Sequence, residues 1–367
     1  MQFSDIIGHT KLKQKMAATI AEGRIAHAQM FVGAEGTGAL PLALAYAALV
    51  NCENPTETDS CGVCNSCNKT NKLIHSDLHF TFPTVGKDVV SSDLMEQWRK
   101  ALTENPYMGY RDWVLKIGEE GKQGNINTKE TADIFRRLSL KALEGKFKIQ
   151  IIWGVEYLKE QGNKLLKILE EPPEGTLFIL VCEDPNQVLP TILSRTQIVQ
   201  IPPIDYNSLT AALVAEGMEE ALAKQTASLS SGSWLMALSL SQNSANDLFT
   251  YLKDFLNLSL FDSKIPERIR LIDSLAQWGR EPLKLFINYL IDMLHKAEHI
   301  SFQTNLAKTA FAEENVFLEK FAMMLTPYKA ELIFKKANDA IMHIERNGNA
   351  KLVLFNLSLS VRNVLAS

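Results

Sequence analysis

"AQMFVGAEGTGALPLALAYAALV", residues 28–50, decides how the rest of the chain is read. A short apolar run meets a glycine-rich turn, and an apolar stretch of helical length follows, so the segment predicts strand, loop, helix. The loop has the outline of a phosphate cradle, G-x-x-x-x-G-K-S/T, with Gly33, Gly36 and Gly38 at the right spacing. Ala39 and Leu40 stand where the pattern needs Lys and Ser or Thr. In a working cradle backbone N–H groups hold the phosphates, the Lys neutralises charge and the hydroxyl holds Mg²⁺. Gly33, Gly36, Gly38 and Ala39 therefore form a degenerate loop in which productive ATP binding is not expected, although a bound anion is conceivable at the following helix N-terminus.

Further along, "KIQIIW" (148–153) and "LFILVC" (177–182) are apolar runs of the kind that form buried parallel strands. Helical stretches lie between them, notably "EYLKEQGNKLLKILEE", stopped by Pro172 and Pro173. The alternation predicts an α/β sheet with helices on both faces. A hydrolytic site should also end a strand in adjacent acids, yet "KIQIIW" ends in Trp153 and Gly154, and Glu156 is expected to point elsewhere. Cys182 reads as a buried, unreactive thiol.

Beyond "IPPIDYNSL" (201–209), where Asp205 or Asn207 is placed to cap a helix, the chain reads as all helix. In "LKLFINYLIDML", Leu283, Phe286, Ile287, Leu290, Ile291 and Leu294 share one face, which core packing explains by default and a subunit interface explains alternatively. A second boundary is expected near "SQNSAND" (241–247). The expected division is an α/β domain over 1–203, a small helical domain over 204–243 and a terminal helical domain over 244–367, with 83–125 as a partly helical insertion. A chain of 367 residues exceeds one compact core, which agrees with several domains.

Cys52, Cys61, Cys64 and Cys67 follow C-x8-C-x2-C-x2-C. Two overlapping C-x2-C steps place three thiolates around one turn, Gly62 lets the turn be tight, and Cys52 closes a tetrahedron. A structural Zn²⁺ within a module over 52–67 is expected, with no open position for catalysis; unrelated thiols or a four-iron four-sulfur cluster are the alternatives. His75 and His79 read as ordinary residues. A net charge of −4 argues against a protein that coats nucleic acid by itself. The basic stretch with Arg136, Arg137, Lys141, Lys146 and Lys148 reads as a solvated face before it reads as a DNA track. Neither a signal-peptide core nor a run long enough for a bilayer is present, so a cytoplasmic address without membrane contact is expected.

The segments "FSDIIGHTKLKQKM", "RIAHAQMFVGAEGTG", "NKLLKILEEPPEGTLFILVCEDPNQVLPTILSRTQ" and "RNGNAKLVLFNLSL", with the four-Cys insert, resemble clamp-loader subunits of the AAA+ class, of the bacterial DNA polymerase III type. The resemblance implies an AAA+ α/β domain with a zinc insert, a helical lid and a C-terminal collar. It implies partners too: ATPase subunits, a clamp-opening subunit, primer-template DNA inside the complex and, indirectly, the sliding clamp at the replication fork. Ser194 and Arg195 match the family's Ser-Arg-Cys motif with Thr196 in place of Cys, which implies that Arg195 is an arginine finger reaching a neighbour's ATP. "SSGSWLMAL" (230–238) resembles the sensor 2 segment with Leu235 in place of an Arg, and Cys182 or Glu183 replaces a polar sensor 1 residue. A non-hydrolysing subunit is therefore expected, with no enzymatic or polymerase site of its own. The rival readings are an ATPase with an unorthodox loop and a zinc-dependent nucleic-acid-binding scaffold. Glu170 and Glu171, adjacent on a helix, point in different directions and do not form a catalytic pair.

Overall fold

The computed structural model describes residues 1–119, 122–242, 245–261, 264–278, 280–301, 312–346 and 348–366. Residues 243 and 244 of the expected 241–247 junction, residues 120 and 121 of the insertion and Asn347 of the tail motif lie outside the described residues. Contacts gather the chain into two compact units: Met1–Ala212 with Gly232–Leu235, and Leu213–Ser231 with Met236–Ser367. Residues 204–243 are thus shared between the two.

The first unit is built on a sheet of β1 (Ala28–Val32), β2 (Leu78–Thr81), β3 (Lys148–Trp153), β4 (Thr176–Cys182) and β5 (Gln197–Gln200). The order is β2-β3-β4-β1-β5 and every pairing is parallel. Register sets Met30 opposite Leu180 on one side and Ile198 on the other, so β1 lies between the strands that carry the ends of the site. Because side chains alternate across a strand, Ala28, Met30 and Val32 join Phe178 and Leu180 in one core with helix Thr128–Ser139 and the 155–170 segment. Gln29 and Phe31 face the other way, toward Tyr46 of helix Ala39–Val50. All twelve residues of that helix are buried, as an all-round apolar helix requires. It is covered by the sheet and by helices Thr10–Ala21 and Asn65–Asn71. The sheet therefore carries helices on both faces.

Two strands escaped the sequence reading for a physical reason. β5 is an edge strand, largely exposed, with only Ile198 and Val199 apolar, and β2 is a four-residue strand interrupted by His79. The expected long helix at 156–171 also differs. It is a tight 3₁₀ stretch, Val155–Leu165, broken at Lys159 (φ 47°, ψ −133°), followed by a short α-helix, Leu166–Glu170. A β-carbon on Gly162 would sit 2.7 Å from Ile192 Cδ1, so close packing of this segment excludes a side chain there.

The 83–125 insertion is tied off at its ends, where Thr84 and Asn125 exchange backbone hydrogen bonds of 3.0 and 2.9 Å. Its helices, Met95–Glu104 and Tyr110–Lys116, bring Trp98 and Trp113 down onto the sheet. Trp98 stacks on Phe82 at 4.2 Å and meets Trp113 and Trp153 at 5.1 and 5.2 Å. The Trp113 indole N–H donates to the Pro83 carbonyl over 2.8 Å.

The second unit is helical. Arg280–Ser301 packs against Ala245–Leu260, Ala312–Met324, Pro327–Glu345 and Glu220–Leu229. Leu283, Phe286, Ile287, Leu290 and Leu294 are buried as expected, but so are Leu285, Tyr289 and Met293, while Ile291 is only partly covered. The stripe is the core of a bundle, as its default reading held. One acid is built into it: Glu314, 1 % exposed, accepts from the Gln225 amide over 2.8 Å and from the Tyr289 hydroxyl. Among the described residues no helix is long and apolar enough to cross a membrane.

Candidate functional site

The glycine loop lies at the C-terminal end of β1, the edge where ligands of parallel sheets are bound. Its conformation depends on glycine at two points, Gly36 (φ 76°) and Gly38 (φ 101°). Gly33 N–H donates to the Cys182 carbonyl over 3.1 Å, tying the loop to the end of β4. His9 Nε2 donates to the Thr37 carbonyl over 2.8 Å, and burial pulls the His9 pKa down, which keeps the ring neutral. From residues 233–234, the Ser233 hydroxyl donates to the Glu35 carbonyl over 2.9 Å and the Trp234 N–H to the Gly36 carbonyl over 2.9 Å. Leu235 packs so close that a β-carbon on Gly36 would lie 2.8 Å from its own.

The insertion comes up against the loop. Tyr107 sets its ring 3.2 Å from where a Gly38 β-carbon would be, and its hydroxyl accepts the Ile7 N–H over 2.9 Å. Burial raises the Tyr107 phenol to about 12, so it stays protonated. Pro106, Tyr107 and Met108 close over Gly33–Pro41 together with Trp153, Val181 and Glu183, leaving about 20 Å³. That is room for about one water, which needs roughly 10–15 Å³. The only charged groups lining the space are Glu35 and Glu183, both of the sign that repels phosphate. Sequence spacing gave no hint of this contact, because Tyr107 lies some seventy residues from the loop it packs against.

Glu156, expected to point elsewhere, instead turns its carboxylate to the end of β4, where Oε1 accepts the Glu183 N–H over 3.1 Å, and burial raises its pKa. Cys182 is buried and its thiol is pushed up mainly by desolvation, an unreactive state.

Cys52, Cys61, Cys64 and Cys67 place their sulfurs within 4.8 Å of one another. Cys67 Sγ is 3.6 Å from Cys52 Sγ and 3.9 Å from Cys61 Sγ. A tetrahedron of Zn–S bonds has edges of about 3.8 Å, so the donor set fits Zn²⁺. Each of three sulfurs also accepts a backbone N–H: Cys61 N to Cys52, Cys64 N to Cys61 and Cys67 N to Cys64, over 3.2, 3.3 and 3.3 Å. The Val63 and Cys64 amides hold the Cys61 thiol down at about 6, whereas burial raises Cys52 and Cys67. Crowded buried thiols of this kind become thiolates together only when a cation shares them. The chain's first residues are stitched to this module: the Asp59 carboxylate accepts the Phe3 and Ser4 N–H groups, each over 2.9 Å, and Gln2 bonds the Ser60 carbonyl.

Ser194 and Arg195 link helix Pro190–Leu193 to β5. The Arg195 guanidinium is one-third exposed and already engaged within the chain. Its Nε donates to Glu170 Oε1 over 2.5 Å, Nη2 pairs with the same carboxylate, and Nη1 donates to the Thr191 carbonyl over 2.9 Å and to Ser194 Oγ over 3.2 Å. Glu170 thus has a partner that its neighbour Glu171 does not explain. The basic stretch is dispersed: Arg136 pairs with Asp133, Arg137 reaches the Phe80 carbonyl and Asp133, and Lys148 is buried against the Arg137 carbonyl. Arg136, Lys141 and Lys146 are exposed to solvent, so the solvated-face reading fits.

The family model described as "DNA polymerase III, delta subunit" matches residues 8–205, which contain the whole sheet, the Cys module and Arg195. DNA polymerase III subunit tau of Escherichia coli (strain K12) is 25% identical over 356 residues, 91% of this chain and 49% of the relative. The tau subunit of Bacillus subtilis (strain 168) is 22% identical over 324 residues, 80% of this chain and 50% of the relative. The chain spans about half the length of these curated relatives. Among solved structures, a DNA polymerase III gamma subunit-related protein from Thermotoga maritima aligns over 96% of this chain and 99% of its own, at 15% identity and TM-score 0.37. With the match running through more than half of the sequence, the chain belongs to the DNA polymerase III delta-subunit family.

Proposed function

We propose that this chain is the delta-prime subunit of a DNA polymerase III clamp loader, a AAA+ protein that hydrolyses no ATP itself and completes the ATP site of a neighbouring subunit with Arg195. The observation that carries the reading is the narrow space left at the loop. Pro106, Tyr107 and Met108 line the loop and leave about 20 Å³ beside it, Glu35 and Glu183 are the charged residues at its border, and Ala39 and Leu40 offer neither charge nor Mg²⁺ ligand. A site so built has no use for a triphosphate, and the same chain holds a guanidinium at its surface next to the edge strand.

In this reading the partners are the loader's ATPase subunits and its clamp-opening subunit, with primer-template DNA held by the assembly and the sliding clamp reached through it. The tau and gamma relatives are DNA polymerase III subunits by name, which agrees with that setting. Arg195 stabilises charge developing on the phosphoryl group transferred in the neighbour's site, and fingers of this kind contribute roughly 10³-fold or more in rate. Cys52, Cys61, Cys64 and Cys67 hold Zn²⁺ as a structural ion, since four sulfur ligands leave no open position. The second unit serves as the collar that joins its neighbours.

The test is Arg195→Ala in the reconstituted loader. The expected result is a loss of DNA-stimulated ATP turnover with the complex still assembled by size-exclusion chromatography. Unchanged turnover in an assembled mutant overturns the reading.

A further inference from the structure

We infer that Glu170 is the positioning residue of Arg195, fixing the guanidinium in the attitude in which it meets a neighbour's phosphate. The inference rests on the reading of Arg195 just given and adds to it a residue to which nothing so far assigns a role.

The argument begins with donors. A guanidinium has five N–H groups in a rigid plane. Glu170 takes the Nε donor and one from Nη2, while the Thr191 carbonyl and Ser194 Oγ take those of Nη1. One N–H, on Nη2, is left uncommitted by these contacts, so the plane is fixed and only one corner is offered outward. An arginine on a bare loop would spread over many rotamers and would have to be ordered at each turnover.

Glu170 is well placed to hold such a plane. It is the last residue of helix Leu166–Glu170, whose end is set by the Glu171 N–H to Lys167 carbonyl bond of 3.0 Å and by Pro172 and Pro173. Its partner follows a different element, helix Pro190–Leu193. The carboxylate is 47 % exposed and the guanidinium 33 %, and pairs that open to water contribute little to folding. Holding the fold is therefore a poor explanation of the contact, and its removal should leave the protein intact.

The sign of the effect separates positioning from its opposite. A carboxylate beside a guanidinium cancels its charge. If Arg195 acted as a free charge masked by Glu170, deleting the acid would raise turnover; if Glu170 orients the plane, deleting it lowers turnover.

The experiment uses the whole loader reconstituted with Glu170→Ala, Glu170→Gln, Arg195→Ala and the double substitution Glu170→Ala/Arg195→Ala, with kcat and KM for ATP measured on primed DNA. Glu170→Ala is expected to lower kcat roughly threefold to tenfold with KM unchanged, and the double substitution to fall no lower than Arg195→Ala. Glu170→Gln keeps an acceptor in place and is expected to recover to within about twofold of the unsubstituted loader. Melting temperature and assembly of all variants should match the parent, so that a fall in kcat is read apart from any loss of folding. Raised or unchanged turnover in Glu170→Ala, or a loss that adds in full to that of Arg195→Ala, overturns the inference while Arg195 keeps its role. No loss in Arg195→Ala removes the reading beneath it, so the two failures are told apart.

Discussion

His79 sits on β2 where burial, with Arg137 and Lys148 close by, pushes its pKa down to about 4. His75 works in the same direction; Asp77 opposes them, but its carboxylate already accepts the Leu143, Glu144 and Gly145 N–H groups over 2.7–2.8 Å. An unfolded histidine titrates near 6.5, so between about pH 6.5 and 4 the unfolded chain binds the extra proton. The stability contributed by neutral His79 is therefore complete above pH 6.5 and is lost as pH falls toward 4. Urea midpoints measured from pH 7.5 to 4.5 should fall less steeply for His79→Gln than for the parent, the comparison cancelling acid effects common to both. At this scale the sequence was informative where chemistry is local. Four cysteines within sixteen residues announce their own tetrahedron, and Cys182 at the end of an aliphatic run announces a buried thiol. The Glu170–Arg195 pair was hidden because its members lie on different elements, and adjacency on a helix said only that Glu170 and Glu171 diverge.

The Cys module and the first residues of the chain behave as one element. Phe3, 2 % exposed, is held beside the module by Asp59, two positions before Cys61, and a β-carbon on Gly62 would lie 2.7 Å from Gln2 Oε1. With Zn²⁺ held there as proposed, its removal should loosen residues that bind no metal. Chelation, or Cys64→Ser, is expected to speed amide hydrogen exchange at Phe3 and Ser4 by about tenfold or more while the β1 amides keep their protection. Equal protection at Phe3 and Ser4 with and without metal would count against the coupling. Of the elements themselves, β1, its loop and helix Ala39–Val50 were legible because each carries an undiluted pattern. The broken 155–170 segment was not, since "EYLKEQGNKLLKILEE" has helical periodicity and only the packing of Gly162 against Ile192 and the backbone of Lys159 show where it fails. Asp205 did cap the helix at Tyr206–Ala215, its carboxylate accepting the Ser208 N–H over 2.9 Å.

For the molecule as a whole, the sequence shows which side chains the loop motif lacks, and the structure shows which residues lie against the loop. Ala39 and Leu40 in place of Lys and Ser or Thr can be read from the motif, whereas the approach of Pro106, Tyr107 and Met108 to the loop depends on how a long insertion folds back, which no local pattern encodes. The difference is testable. If missing side chains were the only defect, Ala39→Lys with Leu40→Thr would restore the motif and with it Mg²⁺-dependent ATP binding. With Pro106, Tyr107 and Met108 against the loop and Glu35 and Glu183 at its border, equilibrium dialysis of labelled ATP against the doubly substituted chain is expected to show no such binding. The insertion also carries its own reporter. Three of the chain's five tryptophans, Trp98, Trp113 and Trp153, share one ring cluster with Phe82. Indoles this close couple optically and, shielded from water, emit toward the blue, so ordinary fluorescence and near-ultraviolet dichroism of unlabelled protein register whether that flap is seated or lifted.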